Sequence, residues 1–178
     1  MGVTSTTTQH LILDAGVVYT NYGEISEETL GATHGGNTFE VTREIREIEV
    51  DGARGKIKGL RRKITENATL TVNLKEITSA AVQLALAGST FNNDGTHDVI
   101  KSNLAIAVGD YLDNVALVAE VSGTTNPIII IIENALADND LSVAFNDKDE
   151  GVLEIQFSAH YDPDALTTVP YEIRYPTT

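Results

Sequence analysis

The chain has 178 residues, 42% of them apolar, with a net charge of −14, no Cys and no Trp. Length and apolar content suit one domain with its own core, and they exclude a disordered chain, disulfide staples and thiolate metal sites. A pI near 4.5 excludes tight duplex binding, which needs clustered Lys and Arg with no acid cloud behind them.

Residues 1–9 are rich in Thr and Ser and carry no core-forming pattern, which predicts a flexible N-terminal arm ahead of a single domain over 10–178. Met1-Gly2-Val3-Thr4-Ser5-Thr6 fits the short myristoylation pattern, which is common by chance. There is no basic stretch of the kind that opens a signal peptide, and none is expected. His10 to Thr20 reads as a strand interrupted at Asp14-Ala15-Gly16. Residues 21–37 read as an extended polar loop bent at Gly23, Gly31, Gly35 and Gly36. Loops of that length are usually functional or ordered by a partner.

From Thr38 to Ile64 the pattern predicts a basic hairpin: a long strand, a glycine-rich turn and a returning strand. Phe39, Val41 and Ile45 share one parity, and Ile48 and Val50 the other, so a bulge is expected near Arg46 and Glu47. Asp51-Gly52 and Arg54-Gly55 supply turn chemistry. Eight of the chain's 12 Lys and Arg lie between Arg43 and Lys63 against four acids, a surplus of positive charge on an acidic body.

Ala68 to Ile77 is the clearest strand, with Ala68, Leu70, Val72 and Leu74 on one face and Thr69, Thr71, Asn73 and Lys75 on the other. Thr78 is placed to cap a helix over Ser79 to Ala87 that ends at Gly88 and packs its apolar face on a sheet. Residues 92–96 form a turn, and Asp98 to Val108 reads as short strands broken at Gly109-Asp110. Val115 to Val121 is a strand, and Ser122 to Pro127 a turn. The five consecutive Ile of Ile128 to Ile132 call for burial on both faces and are an aggregation hazard unless an assembly covers them. That run is also the longest apolar stretch, far too short to span a membrane. Glu133 to Asp140 suggests a helical turn. Ser142 to Phe145 and Val152 to Tyr161 read as a hairpin over residues 146–151, with Leu153, Ile155 and Phe157 inward. Val169 to Pro176 closes the chain with Tyr171, Ile173 and Tyr175 on one side. Many strands, one helix and no repeating βαβ unit make a mainly β fold: an antiparallel β-sandwich or barrel with one packed α-helix.

Chemistry is sparse. His10, His34, His97 and His160 have no metal-ligand spacing, and surface or satisfied core roles fit them better. There is no nucleophile elbow, P-loop or dinucleotide fingerprint. Asp147-Lys148-Asp149-Glu150-Gly151 lacks the full calcium-loop spacing. Asp138-Asn139-Asp140 and Asp162-Pro163-Asp164 fit turns, and the sequon Asn67-Ala68-Thr69 opens a strand. No catalytic residue, cofactor or metal is therefore expected, and the chain is not read as an enzyme. A monomeric β-sandwich recognising a surface glycan or protein is the alternative, disfavoured by the absence of Trp and by only 6% aromatic residues. The basic hairpin has a bland reading as solvated charge. Its concentrated charge and the pliant Gly52, Gly55 and Gly59 favour a contact with the next copy of the chain instead. The candidate contact residues are Arg43, Arg46, Arg54, Lys56, Lys58, Arg61, Arg62 and Lys63.

The run Arg43-Glu44-Ile45-Arg46-Glu47-Ile48-Glu49-Val50-Asp51-Gly52, followed by Gly55-Lys56-Ile57-Lys58-Gly59-Leu60-Arg61-Arg62, resembles the major tail tube proteins of tailed bacteriophages. So do the ending over 151–163, Pro170-Tyr171-Glu172-Ile173-Arg174-Tyr175-Pro176, and the strand and helix between Ala68 and Gly88. The resemblance covers the chain from about residue 38 onward. It implies a β-sandwich flanked by a helix, assembled as hexameric rings whose sheets join around a lumen. The rings stack into a tube through which double-stranded DNA passes without specific binding. It also implies contacts with other tail proteins (tape measure, terminator and distal tail), a place in the virion tail, synthesis in the bacterial host cytoplasm, and no membrane or cofactor. An acidic lumen would let DNA slide. The polar faces of 40–49 and 69–75 then offer Glu44, Thr71 and Asn73 as lumen-facing candidates.

Overall fold

The computed structural model describes residues 2, 7–143, 145, 147 and 150–177. Its elements in chain order are β1 (Val17–Thr20), β2 (Glu28–Thr29), β3 (Thr33–Glu47), β4 (Arg61–Leu74), α1 (Ser79–Ala85), β5 (Ser89–Asn93), β6 (Asp98–Ser102), β7 (Leu112–Ala119), β8 (Ile128–Ala137), β9 (Leu153–Ser158) and β10 (Tyr171–Arg174). Two antiparallel sheets share β8. Its first half pairs with β7 and β10, its last residues with β9, and the whole path runs β2-β1-β7-β8-β9-β4-β3. β5 and β6 form a separate hairpin.

Alternation decides what goes inside. Ala68, Leu70, Val72 and Leu74 of β4 and Leu153, Ile155 and Phe157 of β9 are buried. They meet Val18, Val115, Leu117 and Ile132 of the other sheet in one core cluster, which Ala81 and Ala85 of α1 join. Two signals in the sequence bound that helix. Thr78 Oγ1 accepts the Ala81 N–H at 3.1 Å. Gly88 then turns away at φ +67°, where a Cβ would stand 3.0 Å from the Ala105 carbonyl oxygen.

β8 carries the five Ile, of which Ile128, Ile131 and Ile132 are buried. Strands of the same chain pair with it on both edges, so the hazard is covered within the fold. At Asn134 the backbone turns to φ +48°, and the Asn134 Nδ2 donates to His160 O at 3.0 Å. His160 Nδ1 lies 3.1 Å from Asn134 O and 3.0 Å from Ser158 O. Both partners are carbonyls that only accept, so the ring proton sits on Nδ1. His160 thus ties the corner where β8 leaves one sheet for the other.

Several expectations are corrected. Residues 21–37 are ordered by their own chain, since β2 pairs with β1 and β3 begins at Thr33. The returning basic strand and the strand expected from Ala68 are one continuous β4, which ends at Leu74, three residues before Ile77. α1 ends at Ala85. Residues 133–137 continue β8 as a strand, because the bend at Asn134 keeps pairing available on both sides. Ser89 to Asn93 is β5, so the turn expected over 92–96 starts later: Asn92 and Asn93 pair with Val99 and Asp98. Of Ser142 to Phe145, Val143 makes a lone bridge to Leu153. Ala144, much of the expected hairpin tip and much of the N-terminal arm lie outside the described residues; Thr7–Gln9 form a 3-10 turn.

Candidate functional site

β3 and β4 make one hairpin with two environments. Near the body, Phe39↔Leu70 and Val41↔Ala68 pair on the core side. Past Arg43↔Glu66 the strands run on as an arm through Ile45↔Lys63, Arg46↔Arg62 and Glu47↔Arg61. The register slips between Glu44 and Ile45, leaving Ile64 as the extra residue of β4. The bulge expected near Arg46 and Glu47 thus lies earlier and on the opposite strand. The loop closes where Ile48 N–H donates to Leu60 O at 2.8 Å. One reversal is at Asp51-Gly52, with Ala53 N–H bonded to Val50 O at 3.1 Å. The second is at Lys58-Gly59 rather than Arg54-Gly55, with Gly59 at φ +92° and Leu60 N–H on Ile57 O.

A one-residue slip exchanges the faces of a strand, and here it sorts the charges. Arg43, Lys63 and Arg61 share the side of Glu66 and Glu47. Glu47 accepts Lys56 at 3.2 Å and Arg61 Nε at 3.3 Å, and Glu66 pairs with Lys63. Arg46 and Arg62 stand opposite each other on the other face, a like-charge pair that destabilises unless an anion is supplied. Arg54 and Lys58 are exposed in the loop. The eight predicted cations are therefore gathered on one arm, three of them ion-paired within it.

Glu66 holds the root of the arm, and sequence reasoning misses it. It is 7% exposed and sits at an inward position of β4, where the alternation calls for an apolar residue. That mismatch was the available signal. Tyr171 donates its hydroxyl to Glu66 Oε1 at 2.8 Å, and Tyr161 donates to the Glu66 carbonyl at 3.1 Å. The bond from Lys63, then that from Tyr171, holds the Glu66 carboxyl below its ordinary value, and the same carboxylate pushes the Tyr171 phenol up. The Tyr171 ring also packs on Phe39, with centroids 5.9 Å apart.

The outer face of β9-β4-β3 brings Glu44, Thr71 and Asn73 together. Thr38↔Thr71, Glu40↔Thr69, Thr42↔Asn67 and Glu44↔Thr65 pair across it, and Ser158, Gln156 and Glu154 extend it on β9. Thr71 accepts from Gln156 Nε2 at 3.3 Å, and Asn73 donates to Gly36 O at 3.0 Å. From Thr38 to Glu44, across Thr65 to Asn73 and on to Glu154, this face holds three carboxylates and no cation. Among the described residues no group of three or more His, Asp or Glu is arranged to hold a metal ion.

A family model described as phage tail tube protein matches residues 24–169. Among solved structures, the chain is similar to one in the virion of a native gene transfer agent particle: 9% identity, TM-score 0.49, covering 85% of this chain and 96% of that one. Another is a chain in the tail of an empty gene transfer agent particle, with 10% identity, TM-score 0.45 and coverage of 83% and 92%. No curated protein matches.

Proposed function

The chain belongs to the phage tail tube protein family, a structural component of a virion tail, and from that premise we propose that six copies close into a ring and that rings stack into a tube passing DNA. The observation that carries this reading is that the outer face of β9-β4-β3, from Thr38 to Glu44 and across Thr65 to Asn73 to Glu154, holds carboxylates and no cation. Turned toward the bore, Glu40, Glu44 and Glu154 among Thr, Asn, Gln and Ser repel duplex phosphates and offer nothing for them to grip, so DNA slides. Among the described residues β3 ends the strand order, with no strand paired on its outer edge; a neighbour's strand completing it removes a hazard that a long edge otherwise poses. Arg46 and Arg62, facing each other without an acid between them, take their counter-charge from the acidic body of another copy. Arg43, Arg54, Lys56, Lys58, Arg61 and Lys63 belong to the same contact surface. Tape measure, terminator and distal tail proteins are the partners at the tube's core and ends.

Electron microscopy and light scattering of the purified chain at rising concentration test this. Rings with six-fold symmetry, or tubes built from them, are the expected result. A chain that stays monomeric at every concentration, even with a tail initiator present, or a bore lined by cations, overturns it.

A further inference from the structure

At the end of the sandwich away from the arm, the two sheets leave part of the core uncovered. Phe39 of β3 and Leu117, Ile128 and Ile130 of β7 and β8 border a groove of about 340 Å³, with Ile12 and Ala15 at its rim. The floor is continuous with the interior: Ile130 packs against the main core cluster and also against a smaller one of Ala119, Val121 and Ile128. Asp14 is the one charged residue among the groove's lining, and no Lys or Arg lines it.

The arm tip has the matching surface. Ile48, Val50 and Ile57 are 39–50% exposed. Among the described residues, the hydrogen bonds and ion pairs of the loop over 48–60 stay within the arm. Apolar side chains gathered on an otherwise solvated projection mark a contact surface. The tip carries positive charge, while the groove's rim carries a carboxylate. Position decides the rest. The groove meets β3 at Gly36, Asn37 and Phe39, and the arm departs from it at Ile45, roughly 25 Å further along at about 3.3 Å per residue. A surface at one pole that fits a different surface at the opposite pole makes a heterologous contact, which repeats along an axis instead of closing on a pair.

We propose, resting on the assembly reading above, that the tip of one copy's arm seats Val50 and its apolar neighbours in this groove on the next copy along the stack. The groove is then the socket that sets how successive rings register.

The chain has no Cys, so single introduced thiols report without background. Protein carrying Val50→Cys is mixed with protein carrying Ile12→Cys or Ala15→Cys, assembled and mildly oxidised; both rim positions are exposed, and these changes leave the core intact. A substantial share of the protein, limited by random mixing of the two variants along the stack, is expected in a reducible dimer band within tubes and little of it before assembly, since a disulfide needs Cα atoms within about 7 Å. Protein carrying Leu104→Cys, at an exposed apolar position outside the groove, is expected not to link to the Val50→Cys protein. Tubes in which Val50→Cys links to Leu104→Cys but to neither rim variant overturn the socket and leave the tube assignment standing. So does a link within one unassembled chain between Val3→Cys and Ile12→Cys, which would mean that the chain's own N-terminus fills the groove. Absence of any ring or tube defeats the assembly reading, and the socket with it.

Discussion

Glu66 is a carboxylate where the sandwich ends and the arm begins, and its surroundings make a pH prediction. A carboxyl whose pKa in the folded protein lies below its ordinary 4.5 stabilises the fold fully above that value. The stabilisation disappears as pH falls through the lowered value. The urea midpoint of the wild type should therefore drop on going from about pH 5 to about pH 3, and Glu66→Gln should flatten that limb while lowering the midpoint at neutral pH. An unchanged acid limb in Glu66→Gln would place the dependence on other carboxyls. At this scale the sequence was partly legible. Thr78 announced its cap and Gly88 its left-handed turn, because each acts through its immediate neighbours. Glu66 and His160 act through Tyr171, Tyr161 and Asn134, which are distant in sequence, and no local pattern reports such partners.

Among elements, β4 shows most clearly how one strand serves two purposes. Its alternation from Ala68 to Leu74 was readable because one face is dry and the other wet. Its continuity with the basic strand was hidden because residues 61–65 are exposed on both faces, so alternation fades there while pairing persists. β8 failed in the opposite way: a strand that bends at Asn134 and changes partners breaks its periodicity and imitates a helical turn. The division of β3 and β4 into core and arm can be measured. Replacing residues 49–59 by Asn-Gly, a turn suited to a two-residue hairpin, should change unfolding free energy by less than about 0.5 kcal/mol and abolish tube formation. Leu70→Ala, by contrast, empties a fully buried position and should cost about 2–5 kcal/mol in urea unfolding. An arm replacement as costly as Leu70→Ala would mean that the arm is part of the folding unit.

For the whole molecule, composition foretold the acidity, and the order of motifs foretold the family. Which face the acids occupy emerged only from strand register. The sheet face bearing Glu40 and Glu44 gives a direct test on assembled tubes. Wild-type tubes should not carry down short duplex DNA in sedimentation at about 0.15 M salt, whereas tubes of Glu40→Lys with Glu44→Lys should, and should release it as salt rises. Equal retention by both would remove that face from the bore. The lone unpaired Ile64 shows how finely this division is set. Were Ile64 instead taken into the ladder opposite Ile45, the rest of the returning strand would turn over by half a turn about its own length: Arg61 and Lys63 would swing onto the acidic wall, Arg62 would take their place, and Glu47 and Glu66 would lose the cations they now hold. One backbone irregularity thus keeps a lubricated surface and an adhesive one from trading places.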